Sequence, residues 1–166
     1  MPTEQASSTT DLFVGRLENL DAGNRARLKR SAGKTLAEAR NVLGLFFSLL
    51  PKEVQPYEES MYFLTATLFP MAQSGTTGNL GQHLKHALTV ANAKGLDKRV
   101  EVLLDADAVQ LPYRLRRAVA FLQSERIRVN WRQLLEDLLR WNRPDRPTQK
   151  KWARSYFTAF DSKKEE

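Results

Sequence analysis

Three features of the sequence predict an all-α fold. Between residues 11 and 160 the apolar positions recur at helical spacing almost throughout. No long alternating run marks a strand, and glycine, proline and polar capping residues punctuate the chain at helix-length intervals. With 166 residues, 42% of them hydrophobic and 27% charged, the chain can bury a core of its own. The punctuation predicts one helical domain over 11–160, built as an N-terminal lobe at about 11–105 and a C-terminal lobe at about 108–160. Residues 1–10 are polar and aperiodic and are expected to form a disordered arm, and 161–166 a flexible tail.

The elements follow in order. A first helix is predicted over 11–20, with Leu12, Phe13, Leu17 and Leu20 inward, and Asp21-Ala22-Gly23 ends it. After a short basic segment at 25–30, Thr35-Leu36-Ala37-Glu38 matches a capping box and starts a helix that runs to Leu50, before Pro51. The wide apolar arc of that helix predicts burial on most sides. A helix over 59–72 follows, with Pro70 near its end. The small polar residues of 73–79 form a loop, from which Asn79 caps a helix over 80–93. Gly95 separates it from a helix over 96–104, and 105–107 makes a joint. Leu111, Leu115, Ala118 and Leu122 mark one face of the next helix. Asn130 caps another through Trp141, and Pro147 or Thr148 starts the last, burying Trp152, Tyr156 and Phe160.

The charge points outward from this core. The formal net charge is +7 and the sequence pI is about 9.9, which favours a polyanionic partner. The cations fall in three arginine-rich clusters. The first is Arg25, Arg27, Lys29 and Arg30, with no acid among them. The second is Arg114, Arg116 and Arg117, with Lys98 and Arg99 near in sequence. Arg114 and Arg117 lie side by side on a helical wheel and Arg116 farther round, all three off the Leu111/Leu115/Ala118/Leu122 face. The third holds Arg140, Arg143, Arg146, Lys150, Lys151 and Arg154. The guanidinium fork pairs bidentately with phosphate, so these clusters suit a nucleic-acid backbone. No helix-turn-helix, zinc-finger or aromatic RNA-binding motif stands in the sequence, so the contacts should be largely sequence-neutral. A solvated helix face with local ion pairs, or a helical adaptor docking acidic partner proteins without intrinsic nucleic-acid affinity, is the competing reading.

Other chemistry is suggested and set aside. The chain has no cysteine, which excludes disulfides and thiolate chemistry and suits a reducing cytoplasm. The first residues lack the basic and apolar regions of a signal peptide, and the apolar stretch 42–50 is too short to span a bilayer. No basic amphipathic helix is left over for a membrane surface. Gly33-Lys34-Thr35 imitates the end of a phosphate-binding loop, but Leu28 stands where that motif needs glycine and no strand precedes it. His83 and His86 share a helix face without further ligands for a metal. The pairs Glu58-Glu59, Asp105/Asp107 and Glu136-Asp137 are too close in sequence to converge on one helix face. No catalytic set, cofactor site or metal site is predicted, and the chain reads as non-enzymatic.

Four stretches carry a family resemblance. They are 20–30, ending in Leu28-Lys29-Arg30; Thr76-Thr77-Gly78-Asn79-Leu80-Gly81; 111–119, with Leu115-Arg116-Arg117; and the array Asn130-Trp131-Arg132, Leu139-Arg140-Trp141 and Lys151-Trp152-Ala153-Arg154-Ser155-Tyr156-Phe157. In order and spacing the chain resembles CasB, the small subunit of the type I-E CRISPR Cascade complex. The resemblance implies a two-lobed helical protein without catalytic activity. It also implies head-to-tail self-association and contacts with the large and backbone subunits, the guide RNA and the target and displaced DNA strands of the R-loop. Carried over by position, it implies nucleic-acid contacts at Arg27, Lys29, Arg30, Lys98, Arg99, Arg116 and Arg117, then at Lys150, Lys151 and Arg154. The loop between Gln73 and Asn79 is short and uncharged here, unlike that of some relatives, so it should add little to DNA binding.

Overall fold

The computed structural model describes residues 2–91 and 93–158. Phe160 and the tail at 161–166 lie outside the described residues, as does Met1. Within them the chain forms nine α-helices and three single 3-10 turns, with no strand. The helices are α1 Pro2–Glu18, α2 Ala22–Lys29, α3 Leu43–Leu49, α4 Glu59–Leu68, α5 Leu80–Ala91, α6 Leu96–Leu104, α7 Leu111–Ser124, α8 Trp131–Leu138 and α9 Pro147–Phe157.

The core is organised around α4. Every residue from Met61 to Phe69 is buried, so this helix is apolar all round and must lie inside the bundle. Its two threonines satisfy their hydroxyls locally: Thr65 Oγ1 donates to the Met61 carbonyl and Thr67 Oγ1 to that of Leu64. Helices α2, α7 and α8 pack against it. Aromatic edges meet on one side, with Phe13 of α1 4.9 Å from Tyr62 and Phe46 of α3 5.2 Å from Phe63. Helix α1 lies on α8, and α5 lies on α9. Residues before and after the expected joint at 105–107 therefore interleave, and their buried apolar side chains form one continuous cluster. All three indoles bury their rings and keep a partner for the N–H: Trp131 donates to Ala72, Trp141 to Ala106 and Trp152 to Asp137.

Several boundaries differ from the sequence expectation, each for a tertiary reason. Helix α1 begins at Pro2, ahead of the expected start at residue 11, and Thr10 is buried, donating from Oγ1 to Glu136 of α8 at 3.3 Å. Leu12 is 45% exposed rather than inward. The helix expected over 35–50 is broken. Leu36–Glu38 is a 3-10 turn, Asn41 takes a left-handed φ of 60°, and only Leu43–Leu49 is α-helical. Arg27 holds the break by donating to the Asn41 carbonyl at 2.9 Å. The expected burial fails with it, because Leu43 and Phe47 are 44% and 45% exposed. The Glu38 side of the capping box forms all the same: its carboxylate accepts from the Thr35 backbone N–H at 2.7 Å. The fourth helix ends at Leu68, and Pro70 falls in the 3-10 turn that follows. The loop at 73–79 is pinned to the chain before α8 by a single parallel bridge between Ser74 and Val129.

Candidate nucleic-acid interface

The candidate interface is built on α6 and α7. Asp107 opens α7 by accepting from the backbone N–H groups of Val109 and Gln110 at 2.9 and 2.8 Å. Pro112 sits in the first turn, where its missing N–H costs nothing. Leu111, Leu115, Val119 and Leu122 are fully buried. Their spacing leaves α7 two outward flanks, and the cations divide between them.

On the flank facing α6, Arg114 and Arg117 meet Lys98 and Arg99 around a cavity of about 170 Å³. Its floor is apolar, from Leu84, Leu96, Leu103 and Phe121, and no acidic residue lines it. The rim is ordered. Arg114 donates to the Val102 carbonyl at 2.6 Å. The Arg99 guanidinium lies 5.0 Å from the centre of the Phe121 ring, and that of Arg117 lies 5.9 Å from Tyr113. Lys98, Arg99 and Arg117 remain exposed, so their charge reaches solvent.

On the other flank Arg116 crosses Gly33. A Cβ at Gly33 would stand 2.8 Å from Arg116 Cδ, and φ there is 87°, the left-handed region that favours glycine. This crossing brings the chain that follows α2 against α7. Lys29 and Arg30, at the end of α2, are exposed, and their side chains carry no hydrogen bond or ion pair among the described residues. Arg25 is structural: it donates to the carbonyls of Glu18 and Leu20 and lies over the Phe69 ring.

The third cluster divides. Lys151 turns to Asp137 and forms a 2.5 Å ion pair with a carboxylate that is 3% exposed. Arg146 donates to the Leu104 carbonyl at 2.6 Å. Lys150 and Arg154 lie on α9, unpaired through their side chains among the described residues. The α6–α7 cavity includes no residue of α9. The structure thus brings Lys98, Arg99, Arg114 and Arg117 together and joins Arg116 to the α2 end. The α9 cations do not line that cavity.

Sequence reasoning missed the cavity and the two rings at it, Tyr113 and Phe121. Tyr113 had a signal: it is four residues before Arg117 on an outward flank, the spacing of helical neighbours, and it is 57% exposed. Among the described residues no three metal-binding side chains gather, and no helix is long and apolar enough to cross a membrane.

The fold and site together define a basic all-helical bundle whose cations ring an acid-free apolar cavity. The family model for CRISPR-associated protein Cse2 matches residues 24–157. The chain belongs to that family. It is 34% identical over 110 residues to the Cse2 protein of Thermus thermophilus, an alignment covering 65% of this chain and 62% of that protein. The chain thus spans less than two thirds of the length of that relative. The crystal structure of CasB from M. ruber superposes with a TM-score of 0.73 at 31% identity, over 90% of this chain and 92% of that one. A subunit of a solved CRISPR RNA-guided surveillance complex shares the fold, with a TM-score of 0.77 at 21% identity over 91% and 92% of the two chains.

Proposed function

We propose that this chain is a non-catalytic, nucleic-acid-binding small subunit of a type I-E CRISPR Cascade surveillance complex. In this reading it steadies the guide RNA/target DNA R-loop through sequence-neutral contacts to the backbone. The observation that carries the reading is the set of solvent-facing cations on α2, α6 and α7, with Arg116 and Arg117 at its centre and no acid lining the α6–α7 cavity. Such cations displace condensed counterions from phosphate and supply affinity without base readout. In an R-loop the guide reads the sequence by pairing, so a subunit of this kind has only to hold strands by their backbones. The partners are then the guide RNA, the target and displaced DNA strands, the large and backbone subunits, and a second copy of the chain packed head to tail.

The test is fluorescence anisotropy with labelled single-stranded DNA, duplex DNA and RNA. The intact chain should bind with little sequence preference. Arg116→Glu with Arg117→Glu should weaken binding at least tenfold while the circular dichroism stays helical. Unchanged affinity in that variant would remove the α7 cluster from the interface.

A further inference from the structure

The cavity between α6 and α7 offers more than charge. At about 170 Å³ it exceeds the roughly 150 Å³ apolar cavity that admits a benzene molecule, so its volume suits a single planar ring system. Its floor is aliphatic and aromatic, which favours desolvated carbon over water. Its rim carries four cations and no acid. A ligand that satisfies both parts is a flat ring joined to an anionic group, with the ring inside and the anion on the rim.

We propose that this cavity is a base-binding pocket that takes one unstacked nucleobase of a single strand while Arg99 and Arg117 hold the flanking phosphates. The proposal rests on the nucleic-acid reading above and adds a pocket to it. The ring contacts are already arranged. Phe121 forms part of the lining and carries the Arg99 guanidinium on its face, so an entering base meets a planar cation backed by an aromatic ring. Arg114 is fixed by the Val102 carbonyl, which keeps its charge at the mouth without a large loss of side-chain freedom on binding. Tyr113, 57% exposed beneath Arg117, gives the neighbouring base a second face to stack on. A duplex cannot use such a pocket, because its bases are stacked and paired, so the site selects for single strands. An acidic peptide with an aromatic side chain has related chemistry, but planar guanidinium forks at the rim match phosphate oxygens bidentately, which favours the strand.

The experiment uses the full chain and two single strands of equal length and phosphate count, one normal and one with abasic positions. A third strand carries 2-aminopurine. The normal strand should bind roughly 5- to 150-fold more tightly than the abasic one, the range for stacking one base. The salt slopes of the two should match, since the phosphates are the same. The 2-aminopurine fluorescence should change on binding. Ala118→Phe, which fills the cavity from its half-buried wall, should lower affinity for the normal strand to that for the abasic one and abolish the fluorescence change. If that variant fails to fold, the comparison of strands on the unmodified chain still decides. Equal affinity for the two strands would overturn the pocket and leave the phosphate reading standing. Loss of binding to every strand would overturn both. Displacement of the normal strand from the unmodified chain by an acidic aromatic peptide, but no abasic effect, would overturn the pocket in favour of a protein ligand.

Discussion

Asp137 carries a carboxylate into the interior, and three donors converge on it. Lys151 Nζ lies at 2.5 Å, Trp152 Nε1 at 2.9 Å and Gln133 Nε2 at 3.0 Å, and Thr148 donates to the Asp137 main-chain carbonyl. Removing the carboxylate orphans a buried indole N–H and frees the lysine, so Asp137→Ala should cost about 3 kcal/mol in a urea titration. Lys151→Met should cost more stability than Lys150→Met, because only Lys151 has this partner. His83 is governed by burial of a different kind. Its Nε2 is 2.9 Å from the Thr77 carbonyl, which can only accept, so the proton sits on Nε2; the buried Nδ1 has no hydrogen bond among the described residues. Burial holds the pKa of His83 below the ordinary histidine value, with nearby His86 pushing the same way and the Thr77 contact opposing. A depressed folded pKa means that the unfolded chain binds the proton first. Stability should therefore fall as the pH drops from about 6.5 toward the lowered folded value, and level off below it. Thermal midpoints of the native chain and of His83→Gln across pH 5 to 8 should converge toward acid as the native chain loses this contribution. Parallel curves would assign the titration to other groups.

At the scale of elements, one glycine decides how closely two helices approach. A Cβ on Gly81 of α5 would lie within contact-forbidden distance of the Trp152 carbonyl oxygen of α9 and 2.8 Å from Trp152 Cα. Both are main-chain atoms and cannot rotate away, so Gly81→Ala should destabilise by about 3 kcal/mol through overpacking. Gly44 in α3 meets nothing within 4 Å, so Gly44→Ala should stabilise by about 0.5–1 kcal/mol by lowering the entropy of the unfolded chain. Chemical denaturation of the two variants reads both signs. The contrast also explains which elements the sequence disclosed. Caps are local: Asn79 accepts from the Gln82 N–H at 2.9 Å and Asn130 from that of Gln133, as their position before an apolar run implied. The all-α class was equally legible, and so was most of the inward face of α7, because periodicity reports it directly: Leu111, Leu115 and Leu122 are fully buried as expected, while Val119 rather than Ala118 completes the face. The long helix over 35–50 was not, since it breaks at Asn41, where the partner of the carbonyl is Arg27 fourteen positions earlier. The burial of Thr10 was equally out of reach, since its partner Glu136 stands 126 positions away.

Over the whole molecule, charge was legible as clusters but not as availability. Composition and wheel position separated the cations from the core; tertiary structure then assigned some of them to other work. Arg25 and Lys151 hold the fold together, and Arg27 holds the α3 break, whereas Lys29, Arg30, Lys98 and Arg116 face solvent without a side-chain hydrogen bond or ion pair among the described residues. The cavity was invisible in one dimension, because its walls come from three helices and only its rim is charged. This division yields a quantitative expectation for strand binding. Each phosphate neutralised on a single strand steepens the dependence of log K on log salt by about 0.7. Lys29→Ala with Arg30→Ala should therefore flatten that dependence by about 1.4, two contacts at about 0.7 each, if both cations bind backbone in the proposed R-loop role. Lys151→Met should leave the slope unchanged, since its ammonium serves Asp137 rather than a strand. Binding isotherms of both variants between low and physiological salt measure the two slopes side by side. Equal flattening in both would mean that net charge, and not the placement of the free cations, drives the association.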